Sequence, residues 1–266
     1  MTDTFYTDHW KVIEDDRRKR YEQMFVWREG QLALLRGADL EPGMHVMDLG
    51  AGPGYFAGGL ASIVGDTGRV HGVDLNARFV ADANARASDK PNVEFHLVTD
   101  HQLPFDEASF DRVICKNVLE YVPDVLASLA EVRRVLKPGG KVHIIDSDWG
   151  FVIVEPWGKA VVDEFFVAAS AAFNEPYIGR RASGYLARSG FTEVKVNMNP
   201  FVDLEGAGLN VLTNMASYIR TFKTMAPQTV DGLLDDARAA VERGEFLFCL
   251  PQFLVTGSRH DPDAHE

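Results

Sequence analysis

The chain has 266 residues, 46% of them apolar and 25% charged, enough to bury a substantial core in one elaborated domain. With 27 Lys and Arg against 39 Asp and Glu the formal charge is −12, and the one basic run, Arg17-Arg18-Lys19-Arg20, follows Glu14-Asp15-Asp16, so no nucleic-acid partner is expected. Cys115 and Cys249 lack metal-ligand spacing, the N-terminus lacks signal-peptide character, and no apolar run reaches the roughly 18 residues of a membrane helix; the reading is cytoplasmic, with reduced thiols and no membrane partner.

Residues 5–36 carry aromatics, among them Tyr6, Trp10, Tyr21 and Trp27, at spacings compatible with amphipathic helices. From His45 a short buried strand breaks at Gly50-Ala51-Gly52-Pro53-Gly54 into a helix from Phe56 to about Val64. Those glycines permit positive φ and remove the Cβ atoms that would hold a ligand off the backbone, while the following helix aims unpaired amides at the turn. A second strand, Arg69–Val73, ends at Asp74, about the distance downstream at which a doubly wound fold places a carboxylate for ribose hydroxyls. A nicotinamide dinucleotide site would keep a third glycine where Tyr55 stands, and Asp48 just before the turn repels phosphate but suits a cationic ligand.

Asn76 caps a helix to about Ala87, and Asn92–Val98 alternates as a third strand ending near Asp100 and His101. Phe110–Cys115 is the fourth strand, followed by the loop Lys116–Tyr121. Pro123 is expected to start a helix that stops at Pro138-Gly139-Gly140. The fifth strand, Lys141–Ile145, delivers Asp146-Ser147-Asp148-Trp149 to the carboxyl edge of the sheet. An insertion holds a helix from about Trp157 to Phe173; then come a helix at 179–189, a strand at 191–196, helices at 209–225 and 230–243, and a last strand at 245–256, interrupted near Pro251 as at an edge or bulge. Eight histidines show no two-ligand helical spacing, so no metal is expected.

Through Val46-Met47-Asp48-Leu49-Gly50-Ala51-Gly52-Pro53-Gly54, His71-Gly72-Val73-Asp74, Leu103-Pro104-Phe105-Asp106-Glu107-Ala108-Ser109-Phe110-Asp111 and Leu136-Lys137-Pro138-Gly139-Gly140, the chain resembles the class I S-adenosylmethionine-dependent methyltransferases. The likeness is to the branch of the ubiquinone and menaquinone biosynthesis methyltransferases and is close over about residues 41–146. It implies an α/β Rossmann-like fold with a seven-stranded, mostly parallel sheet, its last strand antiparallel, and helices on both faces. The expected division is an N-terminal helical lid over 1–40, a methyltransferase domain over 41–258 with cap insertions near 150–178 and 205–243, and a flexible tail over 259–266.

The resemblance also implies S-adenosyl-L-methionine as cofactor, held by Asp48, Gly50, Gly52, Gly54, Asp74, Leu75, Asp100, His101 and Asn117, with Asp100 accepting from the adenine amino group. It makes Tyr6, Trp10 and Tyr21 candidate lid residues. Many relatives carry histidine where this chain has Tyr121, so no histidine base is carried over. The acceptor, a small molecule, is expected among Tyr121, Asp148, Trp149 and Arg180, in a monomer or homodimer. Two readings compete: a nicotinamide-dependent oxidoreductase, and an S-adenosylmethionine-binding protein with non-methylating activity.

Overall fold

A computed structural model describes Trp10 and residues 26–99 and 102–260 of the chain. The first half alternates strand and helix: β1 (His45–Leu49), α1 (Tyr55–Val64), β2 (Arg69–Asp74), α2 (Ala77–Arg86), β3 (Val93–Leu97), β4 (Phe110–Lys116), α3 (Val125–Val135) and β5 (Leu136–Ser147). The second half adds β6 (Ile153–Glu155), α4 (Gly158–Ala169), α5 (Ile178–Arg188), β7 (Phe191–Asn199), β8 (Val202–Asp203), α6 (Leu209–Phe222), α7 (Pro227–Arg243), β9 (Leu247–Cys249) and β10 (Gln252–Arg259).

Among the described residues the main sheet has seven strands in the order β3-β2-β1-β4-β5-β10-β7. The five from β3 to β5 run parallel, and β10 is antiparallel to both its neighbours. Parallel strands covered on both faces read as near-continuous apolar runs, which is why Val113, Ile114 and Cys115 are all buried. Val46, Val70, Ile114 and Ile145 pack on one face with Phe56, Leu60 and Val64 of α1. Met47, Val113, Val142 and Ile144 pack on the other with α3 and α5. Strand order reverses between β1 and β4, so a crevice opens outside the carboxyl ends of those strands. Trp149, Phe165, Phe166, Phe173, Leu212, Tyr218 and Phe248 form a third cluster, contributed by the insertions together with the end of β5 and β9.

Several expected boundaries are corrected. Asp124, not Pro123, opens α3: its carboxylate accepts from the Ala127 amide at 2.9 Å, a stronger N-terminal signal than a proline at the first turn. That helix ends at Val135, and β5 begins at once; Phe110 pairs with Leu136 and Arg112 with Lys141, so Pro138-Gly139-Gly140 lies in a register shift within the strand. The helix expected over 157–173 ends at Ala169 and gives way to a 3-10 turn, Ser170–Ala172.

The strand expected over 245–256 is two strands in different sheets. β9 is central in a three-stranded sheet, β6-β9-β8, and β10 lies inside the main sheet, so Pro251 marks a change of sheet and not an edge. Arg259 belongs to β10 rather than to a tail: it pairs with Phe191, donates to the carbonyls of Arg133, Arg134 and Leu136, and bridges to Glu107 at 2.8 Å. Residues 261–266 lie outside the described residues. So does most of the expected lid, but its last part, the 3-10 helix Glu29–Leu35, packs on the body: Leu35 is buried, and buried His143 donates to the Leu34 carbonyl while accepting from the Thr256 hydroxyl. No helix among the described residues is long and apolar enough to cross a membrane.

Candidate active site

The turn after β1 uses its three glycines for different ends. All have positive φ: 73° at Gly50, 53° at Gly52 and 83° at Gly54. A Cβ on Gly50 would strike Val118, and one on Gly54 would come within 2.8 Å of Phe95 and Ala83, so both let neighbouring segments close on the backbone. A Cβ on Gly52 would meet nothing within 4 Å; this glycine alone faces open space, as a ligand cradle requires. Its amide donates to Asp74 at 2.8 Å, and the Asn76 amide donates to the other oxygen of the same carboxylate at 2.8 Å. Burial raises the Asp74 pKa, and the amides of Asn76, Gly52 and Leu75 oppose that rise. The acid at the end of β2 is thereby locked to the turn, and half-buried Leu75 sits between its anchors.

Beneath the turn, the carboxyl ends of β1, β4 and β5 bury three acids around one base. Burial pushes Asp48 up to about 7, assisted by the charge of Asp74 and opposed by Lys116. Asp146 also rises to about 7 through burial, against the amides of Ser147, Val118 and Leu119 and the charge of Lys116. Glu120 rises well above the carboxylate range by burial and the neighbouring Asp146, opposed by hydrogen bonds from Trp149 and Tyr121. Lys116 is lowered by burial and held up by Asp48, Asp146 and Glu120.

One oxygen of Asp48, one of Asp146 and the side-chain oxygen of Asn117 are buried with no hydrogen-bond partner. Buried acceptors seldom stay unpaired in a native fold, so three of them at the carboxyl edge of the sheet suit a ligand that brings hydrogen-bond donors. Asn117 is held in the left-handed region, φ 54°, with its amide bonded to the Ile145 carbonyl, a strained position of the kind found at ligand sites.

Across the crevice, the Tyr121 ring lies 4.9 Å from Trp10 in edge contact and 5.3 Å from Phe173. The Trp10 carbonyl accepts from the Asn76 side chain at 2.6 Å, so Trp10 joins the end of β2 to the loop after β4. Asp100, His101, Tyr6 and Tyr21 lie outside the described residues.

Three residues expected to meet the acceptor are occupied by the protein itself. Asp148 is fully buried and accepts from Arg180 Nε at 2.5 Å, Arg180 Nη2 at 2.6 Å and the Gly150 amide at 3.0 Å. The pair expected to hold a cationic and an acidic group respectively instead satisfy one another, tying the end of β5 to the start of α5. Trp149 stacks with Phe166 and Phe173 and donates its indole N–H to Glu120 at 2.7 Å, so its ring is a structural part of the roof. Tyr121, the fourth, packs on Trp10 and Phe173 and hydrogen-bonds Glu120. Lys116 and Asp146 were given no role of their own from the sequence; the available signal was charge at the ends of adjacent buried strands.

Residues 47–144 match the family described as a methyltransferase domain. Over 127 residues the chain is 33% identical to a demethylmenaquinone methyltransferase of Staphylococcus aureus, covering 48% of this chain and 52% of that protein. Over 128 residues it is 38% identical to a 37.1 kDa protein of a Streptomyces fradiae transposon, covering 48% and 37% respectively. The chain thus spans about half the length, or less, of these relatives. A solved structure, Haemonchus contortus phosphoethanolamine N-methyltransferase 2 in complex with phosphomonomethylethanolamine and S-adenosylhomocysteine, aligns over 96% of this chain and 59% of that one, at a TM-score of 0.63 and 20% identity.

Proposed function

We propose that this protein transfers a methyl group from S-adenosylmethionine to a small-molecule acceptor. The observation that carries this reading is the set of unpartnered buried oxygens on Asp48, Asp146 and Asn117 beside the open side of Gly52, with Asp74 fixed at the adjacent strand end. S-adenosylmethionine, when bound, supplies an activated methyl group on a sulfonium, together with an ammonium and ribose hydroxyls. The residues present fit those groups: Asp48 and Asn117 would accept from the cationic amino-acid end, Asp74 would accept from ribose hydroxyls, and Gly52 leaves room for close approach. Asp100 and His101 are proposed for the adenine.

In-line transfer asks the protein to hold an acceptor at near-attack distance and to exclude water; it requires no nucleophilic side chain. Trp10 roofs the crevice between Asn76 and Tyr121, which suits the second of those tasks. Tyr121 is proposed to position the acceptor, backed by its hydrogen bond to Glu120. The Tyr121 and Phe173 rings beside the crevice favour an acceptor with an apolar or aromatic body. A monomer or homodimer acting in the cytoplasm, without nucleic acid, completes the proposal.

The test is mass detection of a methyl gain across a panel of amine, hydroxyl and activated-carbon acceptors supplied with S-adenosylmethionine. The reading predicts turnover with at least one acceptor class and loss of turnover in Tyr121→Ala at unchanged cofactor affinity. Turnover and acceptor affinity at parental level in that variant would remove Tyr121 from the site.

A further inference from the structure

Away from the crevice, His71 on β2 and Glu94 and His96 on β3 share one face of the sheet. Among the described residues they form a group whose ligand atoms all lie within 4.8 Å of one another. Parallel register makes the group: His71 pairs with Glu94, and Val73 with His96, so the two histidines are diagonal neighbours on adjacent strands. The expectation of no metal came from ligand spacing along a helix, whereas these donors meet only through strand pairing.

We propose that His71, Glu94 and His96 form a binding site for a borderline divalent transition-metal ion of the zinc type. His71 Nδ1 and His96 Nε2 face each other at 3.1 Å. Two nitrogens bound to one ion at the usual zinc distance stand about 2.9 Å apart at a right angle and about 3.3 Å apart in a tetrahedron, so the spacing is already that of a chelate. Glu94 Oε2 lies 3.9 Å from His96 Nε2 on a side chain exposed enough to swing inward. Two imidazoles and a carboxylate are the donors such ions prefer, with water free to complete the shell.

The surroundings favour the role. Phe105 lies 5.5 Å from the His71 ring and 5.1 Å from the His96 ring, and Phe110 lies 5.7 Å from His71, giving the donors an apolar wall on one side. β3 is the outermost strand of the sheet, and an ion here would clamp it to β2 about 10 Å before Asp74, at 3.3 Å per residue. The metal therefore braces the edge that carries the cofactor end of β2.

The test is calorimetric titration of the chelator-stripped full chain with zinc chloride, alongside His96→Gln, Glu94→Gln and, as a control for other histidines, His45→Gln. One ion per chain is expected, with affinity about a hundredfold weaker in His96→Gln, about tenfold weaker in Glu94→Gln, and parental in His45→Gln. Zinc at a hundred times its dissociation constant should raise Tm by several degrees in the parent and not in His96→Gln. Absence of a saturable site tighter than roughly 100 μM, or full binding in His96→Gln, would overturn the proposal and leave a direct imidazole hydrogen bond as the explanation of the contact. S-adenosylhomocysteine affinity, measured on the same variants, reports separately on the crevice.

Discussion

Replacing Asp148 with asparagine should cost stability and spare the cofactor site. The carboxylate is fully buried at the end of β5, where it receives two guanidinium N–H groups, the Gly150 amide and, at 3.3 Å, the Arg180 amide in the first turn of α5. An anion there also complements the helix N-terminus. Asparagine keeps the shape but loses the charge and presents an N–H group to a guanidinium. Charge-assisted hydrogen bonds contribute roughly 1.5–3 kcal/mol each where desolvated, but the Arg180 side chain is 46% exposed, so water recovers part of the loss. The expected cost is about 2 kcal/mol for Asp148→Asn and about 3 kcal/mol for Asp148→Ala, which also strands the Gly150 amide. Urea unfolding of Asp148→Asn, Arg180→Gln and the double variant measures the pair directly, with a coupling of about 1–2 kcal/mol expected between them. Affinity for S-adenosylhomocysteine should stay within about twofold of the parent. Parental stability combined with weakened acceptor binding would refute the structural role and return the pair to the substrate site.

Gly52→Val should abolish cofactor binding, because it fills the open side of the turn and strains a residue at φ 53°; calorimetry with S-adenosylhomocysteine checks it, and parental affinity would contradict the cradle. Asp48 and Asp146, with folded pKa values of about 7 against an ordinary 3.8, bind protons in the folded state that the unfolded chain has released. Their contribution to stability is complete below about pH 4 and is lost as pH rises to 7, by at most about 1.4 kcal/mol per pH unit for each group. Urea unfolding between pH 5 and 8 should show that slope flattened in Asp48→Asn and Asp146→Asn, and an unaltered slope would contradict the assignment. A cationic ligand favours the ionised acids, so S-adenosylmethionine should bind more tightly at pH 8 than at pH 6 with release of protons, measurable in buffers of different ionisation enthalpy. Residues 5–28 are proposed to close over the bound cofactor, which predicts that hydrogen exchange across them slows when S-adenosylhomocysteine is added; equal protection with and without it would contradict that proposal.

What the sequence made legible was mostly local. The strand–turn–helix around Gly50 to Gly54 and the N-cap at Asn76, whose side chain accepts from the amides of Arg78 and Phe79, depend on signals within a few residues, and these elements stand where they were expected. The chemistry around them depends on contacts distant in the chain. Asp148 and Arg180 are separated by 32 positions, and nothing in either neighbourhood indicates that each would satisfy the other. Charged residues at strand ends ordinarily read as solvated, so Lys116 and Asp146 drew no role until the register of β1, β4 and β5 buried them together. Strands β6 and β8, of three and two residues, are too short to show periodicity, and only their pairing with β9 reveals that residues 245–256 serve two sheets.

The central claim is that the turn after β1, the acid ending β2 and the orphaned acceptors beside them bind S-adenosylmethionine. Calorimetric titration of the purified chain with S-adenosylhomocysteine, set against a nicotinamide dinucleotide and repeated on Asp74→Ala, tests it most directly. The account predicts one S-adenosylhomocysteine per chain, no comparable dinucleotide binding, and a loss of about 10- to 150-fold in Asp74→Ala, corresponding to roughly 1.5–3 kcal/mol of charge-assisted hydrogen bonding. Preference for the dinucleotide, or parental affinity in Asp74→Ala, would contradict it.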